Sequence, residues 1–173
     1  MRFIAMFLDL HQIIEVPGGE IPFRCELDSD RLWFPALSHF DGVVSASGKV
    51  KNTAGILELT AIVEADMTVR CDRCTAEFSE HLSVPVEVTL KADAEEDDYA
   101  DLFPLDGDGV DVSDVLETTF ILQMDQKFLC REDCAGLCPD CGKNLNDGPC
   151  GCAKQTDPRM AALAQLLDDI QEV

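Results

Sequence analysis

Cysteine spacing constrains this chain more than any other feature. Nine cysteines occur in 173 residues, and eight of them stand at intervals that suit a shared ion. Cys71 and Cys74 form a C-x-x-C within VRCDRCTAEF. The other six, Cys130, Cys134, Cys138, Cys141, Cys150 and Cys152, crowd into LCREDCAGLCPDCGKNLNDGPCGC. Zinc takes four ligands in a tetrahedron, and a C-x-x-C turn offers two sulfurs on one side of a tight loop, so eight such thiols can close one or two structural sites. CPDCG, from Cys138 to Gly142, reads as a zinc-knuckle turn, in which Pro139 tightens the loop and Gly142 frees backbone N–H groups to approach sulfur.

Three pairings are compatible with the spacing. Cys138 and Cys141 can close locally with Cys150 and Cys152, or join Cys71 and Cys74 as a long-range ribbon. Alternatively, Cys130 and Cys134 can complete the pair formed by Cys71 and Cys74. Metal thiolate is expected over a disulfide framework because the N-terminal MRFIAMFLDLHQII, broken by Asp9 and His11, lacks the pattern of a secretory signal. A cytoplasmic protein follows. No stretch approaches the roughly 18 apolar residues of a membrane helix.

Charge narrows the partners. Thirteen Lys and Arg face 34 Asp and Glu, a formal net charge of −21. Two zinc ions held by eight thiolates would add four further negative charges. Such a polyanion repels nucleic acid over most of its surface. Residues 126–155 carry Lys127, Arg131, Lys143 and Lys154 against Glu132, Asp133, Asp140 and Asp147, which leaves no basic surplus. Naked RNA is therefore a poor partner, and a basic protein a better one. Residues 93–114 hold a run of acids without Lys or Arg and read as a solvated loop, or as a landing surface for that partner.

The periodicity predicts an α+β fold of one compact unit. Residues 56–71 alternate strictly, with Leu57, Leu59, Ala61, Val63, Ala65, Met67 and Val69 on one face. Residues 78–90 do the same, and Pro85 suggests an edge or a locally unpaired position. These two strands place the first C-x-x-C at a hairpin tip. With shorter strands at 20–27 and 42–51, separated by the irregular FPALSHFDG, they form an antiparallel sheet or a partly closed β-barrel. Residues 111–124 switch to helical period, with Ser113 or Asp114 as the cap. The C-terminal helix starts at Asp157, with Met160, Leu163, Leu167 and Ile170 as its stripe. The organisation is a β-rich part (1–125), a Cys-rich zinc-ribbon-like segment packed on it (126–155) and this helix (156–173).

The bland residues are also informative. Cys25, in FRCEL, reads as a small apolar side chain of the core. His11, His39 and His81 are scattered and read as surface groups. Trp33 and Phe34 read as core, and Asn144, Leu145 and Asn146 as the turn between cysteine pairs. No nucleophile has an identifiable base and no phosphate-binding loop occurs, so no catalytic residue is assigned and enzyme activity is not expected.

The combination of VRCDRCTAEF, a following strand, an acidic stretch, a helix, the GLCP-CG-NLN-C-C segment and DPRMAALAQL resembles the YceD-like family of bacterial large ribosomal RNA subunit accumulation proteins. The resemblance spans about residues 40–170. It implies a non-enzymatic factor that supports accumulation of 23S ribosomal RNA and assembly of the large subunit, acting with a ribosomal protein or pre-50S particle. The family's cysteine pattern falls on Cys71, Cys74, Cys130, Cys134, Cys138, Cys141, Cys150 and Cys152. The competing expectation is a thiol-based redox sensor or metal-handling protein, against which stands the C-x-x-C between two strands, since thioredoxin-like use expects it at a helix start.

Overall fold

The computed structural model describes residues 6–91, 102–125 and 127–152. The expected C-terminal helix and the first part of the acidic stretch lie outside them. Two long strands carry the architecture, β5 (Ile56–Arg70) and β6 (Glu77–Lys91), paired antiparallel along their whole length from Leu57 opposite Leu90 to Arg70 opposite Glu77. Every second residue of β5, from Leu57 to Val69, is buried while its neighbours face water, so one side of the ribbon has to be covered.

The remaining strands extend this ribbon. β4 (Ser45–Thr53) runs beside the first part of β5, and β3 (Leu37–Phe40) continues on the same edge beside Met67–Val69. β2 (Glu20–Glu26) adds to β4, and β7 (Leu102–Pro104) pairs in parallel with the end of β6. The order is β2-β4-β5-β6-β7, with β3 beside β5. Among the described residues no pairing joins β2 to β7, so this sheet, antiparallel except for β7, is not closed. A separate two-stranded ladder joins β1 (Phe7–Asp9) to β8 (Gly109–Asp111).

Local chemistry explains the joins. The β4–β5 hairpin turns on Ala54 and Gly55, at φ 54° and 94°, the positive pair that matches the twist of a two-residue hairpin loop. Asn52, buried beside it, donates to the carbonyls of Ile13 and Ile14 and accepts from Gly55 N–H, all at 2.7 Å. That ties the short helix α1 (His11–Ile14) to the sheet. Gly48 lies so close to Thr60 and Ala61 that a Cβ would collide with both. Pro85 sits opposite Ile62, on a stretch of β6 whose other edge has no described partner, because β7 reaches only Thr89–Lys91.

Helix α2 (Val112–Gln123) covers the apolar face with Val112, Val115, Leu116 and Phe120. Its cap is Asp111, whose carboxylate accepts from the Ser113 and Asp114 N–H groups, and not Ser113 or Asp114. Ser113 is buried, and its Oγ accepts from Met6 N–H. Glu117 is also buried. Burial pushes its carboxyl upward, opposed by Arg31, whose Nη1 stands 2.8 Å from Oε2 at ion-pair distance.

Three further expectations are corrected. Residues 102–114 are built into β7, β8 and the start of α2 rather than a solvated loop, with Asp108 near His11 and Asp114 bonded to Arg31. Residues 34–42 contain β3, which is too short and bulged between Leu37 and His39 to show a period. Trp33 is 68% exposed, whereas Phe34 is buried and stacks on Phe128 at 5.3 Å. Cys25 is half-buried against the main core.

Candidate metal centres

The β5–β6 hairpin ends in Cys71-Asp72-Arg73-Cys74-Thr75-Ala76. Thr75, at φ 59°, lets the loop turn back so that Cys71 N–H reaches the Ala76 carbonyl at 2.9 Å and Thr75 N–H reaches Cys71 at 2.9 Å. Both cysteines are thereby held at the end of two rigid arms. The chain leaving α2 passes over this tip. Asp72 N–H donates to the Phe128 carbonyl (2.9 Å) while the Asp72 carboxylate accepts from Phe128 N–H (2.7 Å). Arg73 donates to the carbonyls of Glu132 and Cys134, and its own carbonyl accepts from Leu137 N–H. The two residues between the first pair of cysteines therefore bind the Cys-rich segment to the sheet.

This clamp gathers the eight thiols into two groups of four. Cys71, Cys74, Cys130 and Cys134 form the first, and Cys138, Cys141, Cys150 and Cys152 the second; within each, all sulfurs lie within 4.8 Å of one another. The long-range ribbon joining Cys138 and Cys141 to the hairpin tip is not what the fold assembles. Nearest separations are 3.8 Å for Cys71–Cys134, 3.6 Å for Cys74–Cys130 and 3.4 Å for Cys138–Cys150. A disulfide requires about 2.05 Å. A tetrahedral ion with metal–sulfur bonds of about 2.3 Å would set its sulfurs about 3.8 Å apart. The donor set and its dimensions thus fit a thiolate-bound metal ion in each group.

Proton affinities point the same way. Burial works to push the Cys71 thiol up, but backbone hydrogen bonds from Cys130, Cys74 and Arg73 outweigh it and hold it at about 6. Cys134 is lowered, chiefly by the Asn146 amide. Beside them, burial and the neighbouring thiols drive Cys130 up to about 12. In the second group the backbone of Cys141 and Asp140 lowers Cys138 to about 7, while the adjacent Cys141 and then burial raise Cys152 to about 12. Within each group, thiols whose ionised form backbone and amide groups favour stand beside thiols whose ionisation burial and neighbouring sulfurs oppose.

The groups differ in surroundings. Cys71, Cys74 and Cys134 are 1%, 4% and 3% exposed, and Phe78 and Leu129 pack against them. In the second group only Cys138 is buried, and Cys141 faces solvent. A knuckle turn forms there, with Gly142 at φ 72° donating to the Cys138 carbonyl at 2.9 Å.

The sequence reading missed one functional residue. Asn144 caps a 3₁₀ turn at Leu145–Asp147, which is the expected turn, but Asn146 within it serves the other group. Its amide donates to Cys134 Sγ at 3.3 Å, and its Oδ1 accepts from Ala135 N–H and Arg131 Nη2. The only available signal was an asparagine in a cysteine-flanked loop, where a turn role already accounted for it. The three histidines stay apart from both groups, each exposed beside an aspartate.

Fold and site together define a sheet protein bearing two four-thiol groups, one at a hairpin tip and one in a knuckle. The profile of the family described as "Large ribosomal RNA subunit accumulation protein YceD" matches residues 59–167, and the chain belongs to that family. It is also 32% identical, over 118 residues, to an uncharacterized protein of Mycobacterium bovis and to two of Mycobacterium tuberculosis, strains CDC 1551 and H37Rv. The match covers 65% of this chain and 56% of each relative, so the chain spans little over half the length of the curated relatives it matches. No solved structure matches. Among the described residues, no helix is long and apolar enough to cross a membrane.

Proposed function

We propose that the protein is a non-enzymatic cytoplasmic factor in large-subunit assembly that supports accumulation of 23S ribosomal RNA. Each thiol group would hold one structural zinc ion, for which an all-sulfur tetrahedral donor set is well suited. Zinc would supply folding energy here, not chemistry on a substrate. Membership of the YceD family carries the functional reading.

The partner is a basic ribosomal protein or a pre-50S particle rather than naked RNA. Net charge supports this, and so does the use made of the cations around the two groups. Arg73 is spent on backbone carbonyls, Arg131 on Asn146 and Asp133, and Lys143 on the Pro149 carbonyl. These three side chains are already engaged with protein groups, which leaves them less free for phosphate.

Depletion of the protein tests the function. A lower ratio of large to small subunits on a sucrose gradient is expected, and an unchanged ratio would discard the ribosomal reading. Tight, salt-sensitive binding of isolated ribosomal RNA would keep the function and overturn the proposed partner.

A further inference from the structure

Oxidation of a thiol follows its thiolate character and its access to the oxidant. By access alone the two groups are unequal targets. The first is the more enclosed: Cys71, Cys74 and Cys134 are almost fully buried, with Phe78 and Leu129 packed on them, and only Cys130 is half-buried. The second belongs to no apolar cluster among the described residues. Its Cys141 is open to solvent, and Cys150 and Cys152 are half-buried. Every sulfur of the group lies within 4.8 Å of the others, so a resolving partner is always at hand.

We propose that the second group, Cys138, Cys141, Cys150 and Cys152, is a peroxide-oxidation site, with Cys141 as the sulfur that reacts first. The Cys141 thiolate attacks one oxygen of hydrogen peroxide, the O–O bond breaks, and a sulfenic acid and a hydroxide result. A neighbouring thiolate then displaces hydroxide from that sulfur and forms a disulfide. Two thiolates together lose two electrons, peroxide gains them, and the two hydroxides take up two protons to leave as water. A metal ion held by these four thiolates would lose two of its ligands and be released. This last consequence, unlike the site of oxidation, rests on the metal reading above.

The damage stays local because the loop between Cys141 and Cys150 is anchored to the first group. Leu145 N–H donates to the Gly136 carbonyl at 2.9 Å, and Asn146 is tied to Arg131, Ala135 and Cys134. Those contacts use no sulfur of the second group.

The full-length protein, purified under reducing conditions, is titrated with hydrogen peroxide. Metal release is followed with a chromogenic chelator, and the cysteines are mapped by differential alkylation and mass spectrometry. The expected result is disulfide confined to the second group, release of about half of the bound metal, and Cys71, Cys74, Cys130 and Cys134 still reduced. Cys141→Ser, which has no second ion to lose, is read by alkylation alone, and disulfide formation among Cys138, Cys150 and Cys152 should be slower than in the parent chain. Oxidation of the first group as early as the second, or no oxidation at peroxide levels that oxidise an unstructured cysteine peptide, would overturn the proposal. Less than half an equivalent of metal before treatment would overturn the metal reading alone, since the alkylation map reads sulfurs and still decides the oxidation site.

Discussion

The two thiol groups share a donor set but differ in what their closure accomplishes. The first draws on segments far apart in the chain, with 56 residues separating Cys74 from Cys130. The second takes all four thiols from residues 138–152. Loop-closure entropy grows as the logarithm of length, so joining the distant segments costs only on the order of 1–2 kcal/mol more than closing the short loop. The larger difference is positional. The first group ends a long ribbon and joins it to the segment leaving α2, so it supports tertiary structure, whereas the second organises little beyond its own knuckle. Identical ligands at similar spacings can therefore serve a tertiary staple and a local fold.

The sharpest way to break this comparison is to remove one sulfur from each group. Cys74→Ser should release the first ion and forfeit folding energy on the order of 10 kcal/mol per structural zinc. That is comparable with the whole stability of a small domain, so residues 127–137 should detach from the hairpin tip and the melting temperature should fall steeply, while the second group keeps its local closure. Cys141→Ser should release only the second ion and leave the sheet's melting transition nearly unchanged. Limited proteolysis with circular dichroism checks both. Equal destabilisation by the two changes would contradict the assignment of unequal roles.

Next in size is Phe120→Ala, which leaves a cavity beneath α2. A loss of about 3–5 kcal/mol is expected in denaturant unfolding, with metal content unchanged below the transition. Loss of metal from the native variant would mean that the thiol groups depend on the core more than their local clamps suggest.

These contrasts also indicate how far the chain could be read without its structure. β5 and β6 were legible because both alternate over 15 residues, β5 with a buried face from Leu57 to Val69 and β6 with one that is half-buried at first and fully buried from Val84 to Leu90. The eight thiols were legible because their spacing suits little else. Their partition was not, since every C-x-x-C turn presents the same geometry and only the Asp72 and Arg73 contacts select Cys130 and Cys134 for the hairpin tip. β1, β3, β7 and β8 span three or four residues each, fewer than a period needs. Trp33 and Phe34 are adjacent and chemically alike, so nothing local distinguished the exposed ring from the buried one.

Asn146→Ala sharpens the comparison more gently. The residue lies in the second group's loop yet bonds to Cys134, and its loss should cost about 1–2 kcal/mol through groups left unpaired. Chelator competition should show weaker metal retention at the first group. Weakening confined to the second would refute the cross-connection.

The smallest effect is expected at the outer face of the sheet, away from both groups. His81 is raised above its usual 6.5, first by its hydrogen bond to Asp66 at 2.7 Å and then by that carboxylate's charge. A raised folded value means the pair contributes fully below pH of about 6.5 and loses its contribution as pH rises through the folded value. Both groups are exposed, so the gain is slight. An NMR titration should place His81 above 6.5, and Asp66→Asn should bring it down; no response to that change would remove the pair from the electrostatics.

Native mass spectrometry of the intact protein, beside Cys74→Ser and Cys141→Ser, tests the two-centre assignment most directly. Two zinc ions in the parent chain and one in each variant are expected. A single ion in the parent, or loss of both ions from Cys141→Ser, would contradict two separate four-thiol centres.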